Sequence, residues 1–413
     1  MSDLHARTVE IDDPGDILAL APEASARLWL HDGNGLVAWG TAAALDDPAG
    51  PSRFDRARGA LDRVFADMTI DDPVGVPGSG PVAFASFTFD PDTKGSRITV
   101  PRVLVGRGHG RAWVTVVAPA GDGALADPAA QLGSPPPAVA HERVRYAGSS
   151  LPEIGWLAAV AEAVTEIRAG AYEKVVLARD RRVWSHREFD PRLLARRLAE
   201  RFPTCFTFAV DGLVGATPEL LVRREDAELT SLVLAGSAAR GDDAAADEAL
   251  GSALRASAKE ASEHGPAVES VRRALAGCTE DLRADAEPWL LRLANVTHLA
   301  TTVRARVPDP GLGALALAGM LHPTAAVGGM PTAAALPAIR RLEGMDRGRY
   351  AAPVGWVDAR GDGEFGIALR CAELSGTSAR LFAGGGVVAG SLPESELEET
   401  RLKLRAMQSA FEG

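Results

Sequence analysis

Cysteine is scarce in this chain of 413 residues: Cys205, Cys278 and Cys371 are the whole set. None forms a C-x-x-C pair, the number is odd, and a chain of this length can build a core without cross-links. A disulfide framework is therefore excluded, and reduced thiols are expected. Aromatic residues make up only 5%. No run of roughly 18 or more residues is continuously apolar and free of proline and charge, so no membrane-spanning helix is expected. Basic residues are outnumbered, 44 Lys and Arg against 55 Asp and Glu, for a net charge of -11. Such a balance argues against a nucleic-acid binder or a protein held on anionic membranes, since either needs a basic face. It does not bar an anionic small molecule, which a few local cations or a metal can hold. Residues 1–16 show no basic stretch followed by an apolar one, so no secretory leader is expected and the chain reads as a soluble, cytoplasmic protein. Motifs are missing too. There is no H-E-x-x-H or paired cysteine for zinc, no G-x-S-x-G elbow for an α/β-hydrolase, and no Walker loop or G-x-G-x-x-G before a helix. The eight histidines, His264, His298 and His322 among them, are scattered.

What is present has the texture of a large α+β protein. The length suggests two domains or one large body. Residues 1–118 read as short strands. Arg27–His31 and Gly35–Trp39 flank Asp32-Gly33 as a hairpin, and Val82–Asp90 and Ala112–Val117 are further strands. Residues 119–145 form a connection rich in Pro, Ala and Gly, without apolar period up to 141, which predicts a flexible segment. From 146 to 413 strands and helices mix without a βαβ rhythm. Helices are expected over Ile154–Ala169, Pro191–Arg201, one or two long ones over 243–275, and Glu396–Ala410. Strands are expected at Lys174–Ala178, Thr207–Val210 and Leu213–Val214 (around Asp211-Gly212), Leu299–Val307, Val354–Asp358, Gly366–Arg370 and Ala379–Phe382. No repeat of 20–50 residues is present.

Several residues could carry chemistry. Glu260 and Glu263 stand three apart in one helical stretch, as do Glu396 and Glu399 in the last, so each pair shares a helix face. Brought together, four carboxylates suit a hard divalent ion such as Mg²⁺, although glutamate pairs on helices are mostly solvated. Lys174 opens the apolar run VVLA. It either snorkels to solvent or, held near an apolar pocket, acts as a general base. Glu219 follows Pro218 at the start of another apolar run, where burial would make it a general acid; most such residues are surface or turn groups. Gly384, Gly385 and Gly386 form a glycine run that reads as an anion-binding backbone nest or as a flexible turn. Arg370 and Lys403 flank it in sequence, and either could pair with a substrate carboxylate.

The order of these segments is more specific than any one of them. KVVLARD from 174, GATPELL from 215, LAGSAARG from 234, SAKEASEH from 257, LHPTAAVGGMP from 321, VGWVD from 354, IALRCAEL from 367 and FAGGGVVAGSLPESELEETRLKL from 382 follow in series. Over roughly residues 150–407 this series resembles the chorismate-utilising enzyme family, which includes isochorismate, salicylate, anthranilate and aminodeoxychorismate synthases. The resemblance implies an α+β fold of two packed antiparallel sheets with outer helices. It implies a β-rich N-terminal part over 1–118 and a chorismate-binding catalytic region over 146–413. Lys174 matches the water-activating base of the isochorismate and salicylate branches. Ala235 stands where aminodeoxychorismate synthases carry a nucleophilic lysine. His322–Gly329 resembles the isochorismate version of its segment, with Ala325 a departure from the more usual proline.

The implied activity is isochorismate synthase, an isomerase that adds water at C2 of chorismate and expels the C4 hydroxyl. Salicylate synthase is the nearest alternative; an aminating subunit and an inactive metal-binding scaffold stand further off. By resemblance Lys174 is the base and Glu219 the acid. Mg²⁺ is held by Glu260, Glu263, Glu396 and Glu399, with Glu263 and Glu399 the best direct ligands. Arg370, Lys403, Gly236, Ser237, His298, Tyr350 and the 384–386 backbone line the substrate, His298 equally readable as a structural hydrogen-bonder. Ala326 and Val327 shape the pocket wall. A monomer without a glutaminase subunit is expected. Menaquinone and siderophore pathways are the candidate users of the product.

Overall fold

The computed structural model describes residues 3–45, 47–133, 135–141 and 143–413, and the backbone alone of Lys259; Ser134 and Glu142 of the expected 119–145 connection thus lie outside the described residues. Two large sheets organise the chain. One runs from Arg145–Tyr146 and Lys174–Trp184 through Ser378–Val387, Cys371–Ser375, Leu213–Thr217 and Phe206–Val210 to Arg27–His31, Asn34–Trp39 and the remaining N-terminal strands. The other runs from Glu280–Ala284 through Val296–Arg306, Glu228–Ala239, Leu220–Glu225, Gly363–Ile367 and Pro353–Asp358 to Val82–Ser86, Arg97–Val100 and Ala43–Leu45. Among the described residues every pairing is antiparallel except Leu4–Ile11 with Thr69–Asp71. Each sheet therefore draws strands from both ends of the sequence, in the α+β arrangement of antiparallel sheets with outer helices.

Local chemistry accounts for the elements that frame the site. The two hairpins turn on Asp32-Gly33 and Asp211-Gly212, all four residues at positive φ (48°, 72°, 48° and 85°), the backbone a tight two-residue turn requires. Asp190 caps Pro191–Arg201 by accepting from the Arg192 amide, with Pro191 at the first helical position. The long stretch after 243 is two helices, Ala244–Ala256 and Ala258–Leu275. Ser257 ends the first and caps the second through the Glu260 amide. The last helix, Pro393–Glu412, begins just after the strand Ser378–Val387 and lies back on it.

The strands around Lys174 are buried on both faces. Leu177, Trp29, Phe208, Phe365 and Phe382 join the larger core, which spans both sheets. On the other face of the first sheet, Val183, Val214, Leu381 and Ala383 pack against Leu194, Leu198, Leu404 and Met407 of the flanking helices. That double burial explains why VVLA reads as a continuous apolar run rather than an alternation. Several expected elements shift; the Lys174 strand runs on to Trp184, and the strand expected at Leu299–Val307 is Val296–Arg306. The Val82 strand ends at Ser86, the strand near 366 is Gly363–Ile367, and residues 368–370 leave it for a turn in which Arg370 has φ 47°. The Ala379 strand extends to Val387, so the glycine run is neither nest nor turn but strand, with Gly384, Gly385 and Gly386 opposite Ala178, Leu177 and Val176. Among the described residues no helix is long and apolar enough to cross a membrane.

Phe365 is fully buried where the two sheets share their core. Phe365→Ala is expected to cost about 3–5 kcal/mol, read as a lower denaturant midpoint in urea; a loss under about 1 kcal/mol would remove that shared core from the account.

Candidate active site

One small cavity collects most of the residues singled out from sequence. Glu219, Gly236, Ser237, Glu263, His298, Ala326, Tyr350, Arg370, Gly384, Gly386, Glu399 and Lys403 all line it, together with Val327 and Arg347. Lys174, Gly385, Glu260 and Glu396 stand just behind that lining: Lys174 pairs with Glu263, Glu260 with Ser237, and Glu396 lies by Gly385. The cavity measures about 60 Å³, room for about two waters, because side chains of opposite charge close on one another across it.

The glycines explain how the carboxylates reach the sheet. A Cβ on Gly386 would sit 2.2 Å from Glu263 Oε1, one on Gly385 3.2 Å from Glu396 Oε2, and one on Gly236 2.8 Å from Glu260 Oε2. Gly236 occupies an irregularity in Glu228–Ala239, between Ala235 and Ser237, at φ 81°. The bulge presents Ser237 to both glutamate pairs at once: its amide donates to Glu260 Oε2 at 3.2 Å and its hydroxyl to Glu399 Oε1 at 2.8 Å. His264, which the sequence offered only as a scattered histidine, braces the same bulge through the Ala235 carbonyl and the Thr301 hydroxyl.

Lys174 and Lys403 each meet a carboxylate. Lys174, first residue of its strand and 3% exposed, has Nζ 3.1 Å from Glu263 Oε1. Lys403 Nζ is 2.5 Å from Glu399 Oε1 and donates to the Gly384 carbonyl. Among the described residues no three carboxylate, imidazole or thiol groups stand close enough to hold an ion as they are. The donor set nevertheless suits a hard divalent cation. Four glutamates arrive from two helices onto a glycine floor, and the cations already holding two of them could be exchanged for one.

Glu219 differs from the other carboxylates. It is buried, and its nearest donor is the Leu234 amide, at 3.5 Å from Oε1. Burial pushes its carboxyl up to about 8, against the opposing pull of the Leu234 amide and of Lys174, Lys403 and Arg370. Arg370 is fixed by His298. Its Nη2 donates to His298 Nε2 at 3.1 Å, while His298 Nδ1 faces the Gly236 carbonyl at 3.3 Å. A guanidinium can only donate and a carbonyl can only accept, so the imidazole is neutral with its proton on Nδ1. Burial first, then Arg370 and Lys403, drives the imidazole down to about 3. Arg370 Nε is buried without a protein partner, a donor left over beside the cavity. Tyr350 stacks on Phe382 at 5.1 Å, and its hydroxyl lies 3.1 Å from where a Gly384 Cβ would be.

Arg347 and its partner Glu343 were not legible as site residues. Their only sequence signal is a spacing of four, and their contacts come from distant strands.

The profile of the family described as chorismate binding enzyme matches residues 7–412. The chain is 46% identical over 269 residues to the salicylate biosynthesis isochorismate synthase of Pseudomonas aeruginosa, a match covering 62% of this chain and 54% of that protein. The chain thus spans about half the length of that relative. It is 33% identical over 355 residues to isochorismate synthase MenF of Bacillus subtilis, covering 81% of this chain and 75% of that one. Its fold superposes on the crystal structure of DhbC from Bacillus anthracis with a TM-score of 0.79 at 28% identity, covering 96% of this chain and 98% of the other. With a profile match along almost its whole length and a shared three-dimensional arrangement, this chain belongs to the chorismate-binding enzyme family.

Proposed function

We propose that the chain is an isochorismate synthase, an isomerase that moves the hydroxyl of chorismate from C4 to C2. The observation that carries this reading is the buried carboxyl of Glu219, pushed up to about 8 in a cavity that it shares with Arg370, Lys403, Glu263 and Glu399, and flanked by buried Lys174. A proton donor and an amine on one small ring is what adding water at one carbon and losing it at another needs. The names of the Pseudomonas and Bacillus relatives point the same way.

Chorismate carries two carboxylates. Arg370, with its spare Nε–H, and Lys403 would hold carboxylate oxygens against the Gly384–Gly386 edge. Glu263 and Glu399, with Glu260 and Glu396 behind them, would hold Mg²⁺. When bound, that ion would offset the charge of the ring carboxylate and draw electron density from the conjugated ring. Substrate would part the Lys174–Glu263 and Lys403–Glu399 contacts as it enters this small cavity. Lys174 then takes a proton from the water that attacks C2. The two conjugated ring double bonds each move over by one position, and the C4 oxygen leaves as water with the proton of Glu219. Ala326 and Val327 form the wall beside the attacking water. Neither a glutaminase nor any other partner is needed for this chemistry, and the chain is proposed to act alone.

Purified protein with chorismate and Mg²⁺ is expected to give isochorismate in equilibrium with chorismate, and none after chelation by EDTA until Mg²⁺ is restored; chromatography distinguishes this from salicylate plus pyruvate, which would move the chain to salicylate synthases. Lys174→Ala and Glu219→Ala are each expected to lower kcat by about 10²-fold or more with unchanged circular dichroism, and near-normal turnover in either would end its assignment. Glu219 gives up its proton only while protonated, so kcat should fall as pH rises through about 8. A profile level from neutral pH to well above that value would show that another group supplies the proton.

A further inference from the structure

Glu343, behind the cavity, and Arg347, in its lining, form an ion pair with side chains 1% and 2% exposed. Glu343 ends the helix Thr332–Leu342 and accepts from the Ala178 amide at 2.7 Å. Arg347 spends its remaining donors on backbone: Nη2 to the Val176 carbonyl at 2.7 Å and Nη1 to the Val327 carbonyl at 2.8 Å. The guanidinium also lies over the Phe89 ring at 4.1 Å, and the Arg347 carbonyl accepts from the Tyr350 amide. One guanidinium thus spans the strand that begins at Lys174 and the segment that forms the Ala326–Val327 wall. The same two segments are joined by Val176 N–H to the Gly328 carbonyl at 2.9 Å and by the pairing of Lys174 with Met330.

We infer that the Glu343–Arg347 pair is a positioning device that fixes the spacing between the Lys174 strand and the wall beside the attacking water. The inference rests on the proposed function for its catalytic meaning and on backbone geometry for the clamp itself. A planar fork can bridge two carbonyls in one geometry, which a single ammonium cannot do. A buried ion pair is an uncertain source of stability, since apolar residues of similar size often replace one at no cost. What such residues cannot replace is the pair of hydrogen bonds to Val176 and Val327. Small errors in the placement of reacting groups cost rate far more than they cost binding.

The test is the double variant Glu343→Leu/Arg347→Met, in which both charges leave together. Its urea midpoint is expected to stay near that of the parent. Amide exchange at Val176 should quicken at least tenfold, and kcat on chorismate with Mg²⁺ should fall at least tenfold with KM moved less than threefold. Arg347→Lys keeps a cation for Glu343 but not the fork, and should show the same split if the double variant folds poorly. Unchanged exchange at Val176 overturns the clamp. Quickened exchange with unchanged kcat overturns its positioning role. If the parent protein itself leaves chorismate unchanged, the proposed function fails, while the exchange result still decides the clamp.

Discussion

Charge taken out of water must be matched or given up, and the cavity is organised around that constraint. Glu263 is matched by Lys174, Glu399 by Lys403 and Ser237, and Glu343 by Arg347. Among the described residues Glu219 has a long contact from the Leu234 amide, and burial favours its protonated form. His298 gives up charge altogether, accepting from Arg370 while its own proton faces a carbonyl. The charged and neutral groups of the cavity are therefore sorted by who their neighbours are. Carboxyl groups of identical intrinsic chemistry meet different partners within one small volume: a lysine, an arginine, or a long contact from an amide.

Backbone, not side chain, provides the room for this sorting. Strands normally crowd the space above them, yet at Gly384–Gly386 the sheet has no side chains and helix carboxylates settle onto it. On the facing sheet, Gly236 does the same for Glu260 and turns Ser237 toward both helices. The cavity is the meeting of two bare patches, one on each sheet, with the ends of two helices closing over them.

Much of this was readable beforehand, and the division follows the range of the forces involved. The hairpins at Asp32-Gly33 and Asp211-Gly212 and the capped helix Pro191–Arg201 are local, decided within a few residues, and the sequence places them well. The glutamate pairs declare a shared helix face by spacing, but not that Ser237 joins them. The glycine run was misjudged as nest or turn because glycine's freedom is visible in sequence, whereas the pairing with Val176–Ala178 that makes it a strand lies two hundred residues away. The strand near 366 was set too late, because the turn at Arg370 depends on tertiary contacts with the Ala216 amide and His298. Arg347 was invisible for the same reason: beyond Glu343 its guanidinium reaches Val327, Val176 and Phe89, none of them a near neighbour in the chain.

The interleaving of early and late strands has a consequence for how the molecule comes into being. Val82–Ser86 pairs with Pro353–Asp358, and Arg27–His31 with Phe206–Val210. During synthesis on a ribosome, the first strands wait with open edges until their neighbours emerge, and the second sheet cannot close before most of the polypeptide has been made. Folding dominated by such distant pairings is slow and leaves sticky strand edges in the meantime. The nascent chain is thus a natural client for chaperones, and one in which a premature stop leaves no half that could fold alone.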